Sequence, residues 1–344
     1  MNERAGIIAR FRTLLDLPEE VPELSLGEGD TPLIPVPKIA EELGGGFELF
    51  IKYEGLNPTG SFKDRGMVVA IAEAKSRGAT TVLCASTGNT AASAAAYASR
   101  AGIRAIVLVP EGNVARGKIA GAAVYGAQIV EIRGSFDDAL RLAREAAEKL
   151  GLALVNSINP FRIAGQKTAA FEIVDAIGTP DWLCLPVGNA GNITAYARGF
   201  LEYGEKKLPH LLGVQAAGAA PLVIGKTVEH PETIATAIRI GNPARGKEAK
   251  ELVEQSGGKF ASVTDEQILT TRDRLAKEGI WVEPASAAGL AGLMQEIEKG
   301  TIDAKGKKIV IVATGHGLKD PDSVIVPETK RIEPTLADLS ALLA

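Results

Sequence analysis

The chain has 344 residues, 46% of them apolar and 23% charged, with a formal net charge of −4. That length suggests about two domains with enough apolar content to bury a core, and interspersed acids and bases without a basic stripe speak against nucleic acid or an anionic membrane as partner. The sequence carries neither an apolar run of membrane-spanning length nor a signal-like start, and it reads as a cytoplasmic protein.

In chain order, "MNERAGIIARFRTLLDL" has a helical pattern. "NPTGSFKDRG" (57–66) is built largely of turn-forming residues, each favouring turns for its own reason. Ser61 stands where it would cap a following helix, with Lys63 just inside. Taken alone, Lys63 reads as a solvated lysine on a surface turn. Short, near-continuously apolar runs then recur: "TTVLCAS", "RAIVLVP", "AQIVEI", "LALVNS", "DWLCLPV", "LLGVQAA" and "KKIVIVATG". Such runs fit strands buried on both faces of a parallel sheet. Helical patterns separate most of them. Ser135 and Asp138 have capping-box spacing with Gly151 as a stop, and Thr264, Gln267 and Gly279 repeat the device. Alternating strands and helices predict an α/β fold with right-handed crossovers. Turn-rich stretches near Gly60 and in "NSINPFR" predict a small α/β domain over 62–156, inserted in a larger one made of 1–61 plus 157–344. Cys84 and Cys184 lie in apolar runs and read as reduced core thiols. His210, His230 and His316 lack metal-ligand spacing, so no metal site is expected.

Three glycine-bearing loops follow strands directly, where open α/β sheets bind ligands. Ser86-Thr87-Gly88-Asn89-Thr90 opens an alanine-rich helix, offering hydroxyls and free N–H groups that suit a carboxylate or phosphate. A merely capped helix start is an equal reading of that loop. Gly188-Asn189-Ala190-Gly191-Asn192 opens another helix and can curl its N–H groups inward as a nest for one phosphate. It matches neither a dinucleotide fingerprint nor a Walker A loop. Thr314 and Gly315 close the last strand, where a hydroxyl could reach a buried ring atom. A phosphate nest, a lysine on a turn–helix element and a strand-end hydroxyl together suggest pyridoxal 5'-phosphate, which needs a Schiff-base lysine, a phosphate cup and a ring-nitrogen partner.

With these motifs in place, the chain resembles the threonine synthases, within the β-family (fold type II) of pyridoxal-phosphate enzymes. "GSFKDRG" is shared with related lyases; "NSINPFRIAGQKT", "AIRIGNP" and "ATGHGLKD" narrow the likeness, which runs from "LGEGDTPLIPVP" to "EPASAAGLAGL" and beyond. The resemblance implies a tryptophan-synthase-β-like fold: two open, twisted, mostly parallel sheet domains with the cofactor in the cleft between them. It also implies that Lys63 bonds the cofactor, Asn89 its ring hydroxyl, Gly188 to Asn192 its phosphate and Thr314 its pyridine nitrogen. Ser86, Thr87 and Thr90 would grip a substrate α-carboxylate, and Asn156, Ser157 and Arg162 the phosphate of O-phospho-L-homoserine. For Arg162 a surface salt bridge is the competing reading. A homodimer is expected. The alternatives are a cysteate synthase, a threonine or serine dehydratase, or an idle cofactor-binding protein. "GNPARGKEA" departs from the aromatic-bearing continuation of this family, so the loop there is expected to differ. The N-terminus lacks the regulatory extension and the zinc-ribbon start of some relatives, so effector control of that type is not expected.

Overall fold

The computed structural model describes residues 5–112, 116–326 and 328–342. Ten strands are formed: β1 (Leu33–Pro35), β2 (Glu48–Tyr53), β3 (Thr81–Ala85), β4 (Arg104–Pro110), β5 (Gln128–Ile132), β6 (Ala153–Leu154), β7 (Trp182–Pro186), β8 (His210–Ala216), β9 (Lys259–Val263) and β10 (Lys308–Ala313). They make two sheets, one of six strands in the order β1-β2-β10-β7-β8-β9 and one of four in the order β5-β4-β3-β6. Every pairing is parallel except β1 with β2. Helices connect the parallel strands, as parallel pairing requires.

All seven apolar runs contribute strands, because strands covered by helices on both faces must be apolar throughout. β3, β7 and β10 are almost wholly buried. β6 shrinks to two residues, since the chain leaves the sheet at Val155 and turns at Asn156. β1, β2 and β9 carry no continuous apolar signal. β2 (ELFIKY) has a charged residue on either side of its short apolar run, and its Lys52 is nonetheless only 2% exposed inside the sheet.

The helix Phe136–Leu150 starts with the Ser135/Asp138 capping box and stops at Gly151, where φ is 65°. The helix Asp265–Lys277 starts with the Thr264/Gln267 box. The helix Lys63–Ser76 corrects the sequence reading: its N-cap is Phe62, without a side-chain cap, and the Ser61 hydroxyl is buried and has no partner. Backbone pairing orders this start instead. Phe62 N–H donates to the Thr314 carbonyl (3.0 Å), His316 N–H donates to the Gly60 carbonyl (2.9 Å), and Ser61 bridges to Gly315. The turn before Lys63 is thus stitched to the end of β10.

Around the Lys63–Ser76 helix lies a core of Met67, Val68, Ile71, Tyr97 and Phe171, onto which Ile7, Ile8 and Phe11 of the N-terminal helix also pack. The Lys63–Ser76 and Pro160–Ile177 helices approach so closely that only glycine fits. A Cβ at Gly165 would lie 2.0 Å from the Arg65 carbonyl oxygen, and one at Gly66 would lie 2.6 Å from the Arg162 carbonyl oxygen.

Candidate active site

The three ligand-type loops predicted from sequence leave the C-terminal ends of β3, β7 and β10. A hydrogen bond spans the two sheets here: Asn89, at the start of the helix after β3, donates to both oxygens of Glu283 at 3.1 Å. Glu283 is the N-cap residue of the helix Pro284–Glu298, which packs on the six-stranded sheet. The loops of both sheets therefore face one another across a narrow gap.

Lys63 is half-buried there, its amine 3.8 Å from the centre of the Phe62 ring. Burial, reinforced by the Arg162 guanidinium and opposed by Glu283, brings the amine down to about 7. A lysine so lowered is an available base and nucleophile near neutral pH. Its two sequence neighbours do structural work. Asp64 accepts from Thr59 N–H (2.7 Å), Thr59 Oγ1 (2.6 Å) and Ser93 Oγ (2.6 Å). Arg65, fully buried, is clasped by Glu54 and Glu172, and Glu172 also takes Lys52 Nζ at 2.6 Å. Burial works against the charge on Glu172, but Arg65 and Lys52 outweigh it and hold its carboxyl below the usual range. Two acids and two bases make this buried group neutral.

Arg162 stands in the first turn of the Pro160–Ile177 helix and is 1% exposed, so the surface salt-bridge reading is wrong. Its Nη1 donates to the Val155 carbonyl (3.0 Å), while Nε is buried and has no partner. Burial lowers its guanidinium to about 10. Asn156 is spent on backbone: its Oδ1 accepts from Ala85 N–H (3.0 Å) and its Nδ2 donates to the Ala85 carbonyl (2.9 Å), fixing the end of β3. One amide hydrogen remains for other use. Ser157 is half-buried in the turn between Asn156 and that helix.

Ser86, Thr87, Gly88, Asn89 and Thr90 are all half-buried. Gly88 is an N-cap with no side-chain cap, so first-turn N–H groups stay available. The Ser86 hydroxyl accepts from Gly88 N–H at 3.3 Å. At the second loop, Ala190 holds a left-handed φ of 64° as an N-cap without a side-chain cap, and Asn192 has a buried Nδ2 lacking a partner. Successive N–H groups around such a residue converge as in an anion nest. Asn189 is tied to the segment that departs from the family pattern, accepting from Ala244 N–H (3.4 Å) and, at its carbonyl, from Arg245 N–H (3.2 Å). Thr314 is buried, its hydroxyl 2.9 Å from that of Ser286, which in turn accepts from Gly315 N–H at 2.8 Å.

Pyridoxal phosphate fits these residues. The uncapped helix start with the orphaned Asn192 amide suits a phosphate, the lowered amine of Lys63 suits an aldehyde, and Thr314 with Ser286 offers a neutral hydroxyl pair to a ring nitrogen. Glu283 and Ser286 were missed from the sequence, although both lie in "EPASAAGLAGL"; a Glu preceding a Pro-initiated helix resembles any acidic N-cap. His316 stacks on Tyr53 (5.9 Å between ring centres) and accepts from Leu318 N–H through Nδ1, a structural position. Among the described residues, no group of three or more His, Cys, Asp and Glu is arranged to hold a metal ion.

Residues 24–315 match the model of the family described as pyridoxal-phosphate dependent enzyme. A threonine synthase of Halalkalibacterium halodurans is 54% identical, covering 94% of this chain and 92% of that protein. A threonine synthase of Mycobacterium leprae is 53% identical over 98% of this chain and 95% of its own. In three dimensions, maize serine racemase superposes with a TM-score of 0.75 at 24% identity, covering 85% of this chain and 89% of that one; this likeness bears on the fold alone. The processed form of threonine deaminase isoform 2 from Solanum lycopersicum gives 0.72 at 25% identity, covering 83% and 79%. With that fold, that lysine and relatives this similar along nearly the whole chain, the protein belongs to the fold type II pyridoxal-phosphate-dependent enzymes, in the threonine synthase family.

Proposed function

We infer that the chain converts O-phospho-L-homoserine and water to L-threonine and phosphate. The observation that carries this reading is the pairing of two unlike cations across one glycine-tight helix contact: Lys63 with a lowered amine, and Arg162 buried with an open Nε. When bound, pyridoxal phosphate supplies an electron sink for the carbons next to the substrate amine. Lys63 Nζ takes protons from Cα and Cβ and delivers them to Cγ, once phosphate has left it, and back to Cα, for which it needs the neutral form. The Arg162 fork binds the substrate phosphate, which departs from Cγ; a planar guanidinium meets phosphate oxygens two at a time. Ser86, Thr87 and Thr90 hold the α-carboxylate at a helix start, while Asn156 and Ser157 set the wall beside the phosphate. Asn89 meets the cofactor's ring hydroxyl, the loop from Gly188 through Asn189, Ala190, Gly191 and Asn192 cradles its phosphate, and Thr314 faces the ring nitrogen. A neutral hydroxyl there does not keep that nitrogen protonated as a carboxylate would, which discourages transamination. Water adds its oxygen at Cβ, and the bond to phosphate is the one broken.

The two sheets support a division into a smaller unit of 62–156 and a larger one of 1–61 plus 157–344. A homodimer working in the cytoplasm completes the proposal; twofold oligomers are the commonest assembly, and light scattering reads the state directly. Among the described residues, no helix is long and apolar enough to cross a membrane. The deciding experiment measures phosphate release from phosphohomoserine and phosphoserine, and 2-oxo acid formation from threonine. Release from phosphohomoserine alone, with threonine as product, is expected. No release from it, or faster turnover of phosphoserine or threonine, would overturn the reading in favour of a related lyase.

A further inference from the structure

Glu283 is a buried carboxylate that the chemistry above does not use. It is 5% exposed, and its position is fixed from several sides. Its own N–H donates to the Gly315 carbonyl at 3.1 Å, and Val282 bridges to His316. The carboxylate lies flat against Gly315, where a Cβ would come within 2.4 Å of Oε1. That close approach gives a physical reason for glycine after Thr314. On the open side, both carboxylate oxygens receive the Asn89 amide, which belongs to the other sheet.

The charges facing this carboxylate come from two segments. Lys63 lies on the stitched turn–helix, while Lys319 and Asp320 follow β10. Lys63 itself faces Arg162 as well. Among the described residues Glu283 is the anion that acts on Lys63, and Arg162 is the cation that opposes it. Desolvation by burial pushes the carboxyl up, with Asn89, Lys63 and Lys319 pulling it back.

We propose that Glu283 is a positioning residue of this active site: it clamps the Asn89 amide across the gap between the two sheets and, through its charge, retains the proton on Lys63 against the push of Arg162. The first task fixes which way Asn89 presents itself. Because Nδ2 points at the carboxylate, Oδ1 is turned away and free to accept. The second task sets the pH at which the Lys63 amine becomes nucleophilic. This proposal rests on the cofactor family and is indifferent to the substrate.

The test follows capture of pyridoxal phosphate by the full chain freed of cofactor, read as growth of the visible absorption band, from pH 5.5 to 9. Capture needs the neutral amine, so its rate rises through the Lys63 midpoint near 7. Glu283→Gln keeps an acceptor for Asn89 and removes the charge. The midpoint moves down by about one pH unit, so at pH 6 the neutral fraction, and with it the capture rate, rises roughly fivefold. Asn89→Ala breaks the clamp while keeping the carboxyl group in place; it loses cofactor affinity. Glu283→Ala loses both features. An unchanged or raised midpoint in Glu283→Gln overturns the electrostatic role, and parental cofactor affinity in both Glu283→Ala and Asn89→Ala overturns the clamp. Glu283→Gln is close to isosteric, and circular dichroism checks its fold. None of these readouts involves phosphohomoserine, so failure here is distinguishable from failure of the proposed reaction.

Discussion

The contact between the Lys63–Ser76 and Pro160–Ile177 helices is closed by glycine on both sides, and Gly165→Ala asks whether that contact sets the site. The added Cβ would lie 2.0 Å from the Arg65 carbonyl oxygen and 2.9 Å from Val69 Cγ2. An ordinary carbon–oxygen approach is about 3.3 Å, so starting from 2.0 Å the helices must part by roughly 3.3 − 2.0 = 1.3 Å. A backbone oxygen cannot rotate aside as a flexible side chain can. Overpacking of this kind costs about 1–3 kcal/mol. The catalytic cost is larger, because Lys63 begins one helix and Arg162 stands in the first turn of the other. A misplacement of about 1 Å between reacting groups lowers rates on the order of 10²-fold. Gly165→Ala is therefore expected to cut kcat for phosphate release about a hundredfold, with only a modest fall in the denaturation midpoint. Gly66→Ala presses the same contact from the other side, 2.6 Å from the Arg162 carbonyl oxygen. Once the helices have parted, the second Cβ finds room, so the double variant should lose less than the two single losses combined. Steady-state kinetics and urea unfolding of the three variants make the measurement. Parental kcat in Gly165→Ala would refute the idea that this helix contact sets the distance between the two cations.

Lys63→Ala should abolish the visible absorption band and all turnover while circular dichroism stays parental; residual full activity would show that another amine serves. Arg162→Ala should keep the colour and lower kcat/KM for phosphohomoserine by far more than it alters the binding of amino acids without a phosphate. An unchanged substrate preference would remove Arg162 from the phosphate site. Arg65→Ala leaves Glu54 and Glu172 facing Lys52 alone, and loss of one partner from a buried ion group costs about 3–5 kcal/mol; a urea midpoint within error of the parent would contradict that. The Lys63 amine titrates near 7 in the fold against an ordinary value of 10.5. Between those pH values the unfolded chain holds a proton that the folded chain has released, so stability of the cofactor-free protein should rise with pH across that window. Lys63→Ala should flatten that rise, and an equal slope in parent and variant would argue that the amine is not lowered.

Strands with a wholly apolar signature were legible because burial on both faces leaves its mark on every residue. β2 was not, since Lys52 occupies an inward position and is made tolerable only by Glu172, 120 residues away along the chain. No local pattern carries that pairing. The site was legible to a similar depth. Loops after strands and a lysine in a turn-rich frame are local features, and the family resemblance supplied roles for them. What orders the Lys63 turn is not local: Ser61 looked like a cap, but backbone pairing with residues 314–316 replaces it. The same holds for Glu283, whose neighbours Asn89 and Lys63 come from distant segments.

The buried cations around this turn divide by how they are matched. Arg65 and Lys52 each have a carboxylate in ion-pair contact, so the cost of desolvating them is offset within the fold. Arg162 is buried as deeply, yet its Nη1 meets a neutral carbonyl and its Nε is unmet. An incompletely satisfied guanidinium costs several kcal/mol to keep, and a fold under no functional demand would lose it to a leucine or methionine. Lys63, half-buried, likewise has its charge disfavoured by burial and by Arg162. Two such residues, brought together by a helix contact too tight for any side chain, store an electrostatic demand that an arriving dianion relieves. Binding of a phosphorylated substrate should therefore stabilise this chain more than binding of its unphosphorylated counterpart does. A thermal-shift comparison of phosphohomoserine with homoserine, made in Arg162→Ala as well as in the parent, reads this directly, and an equal shift for both ligands in the parent would refute it.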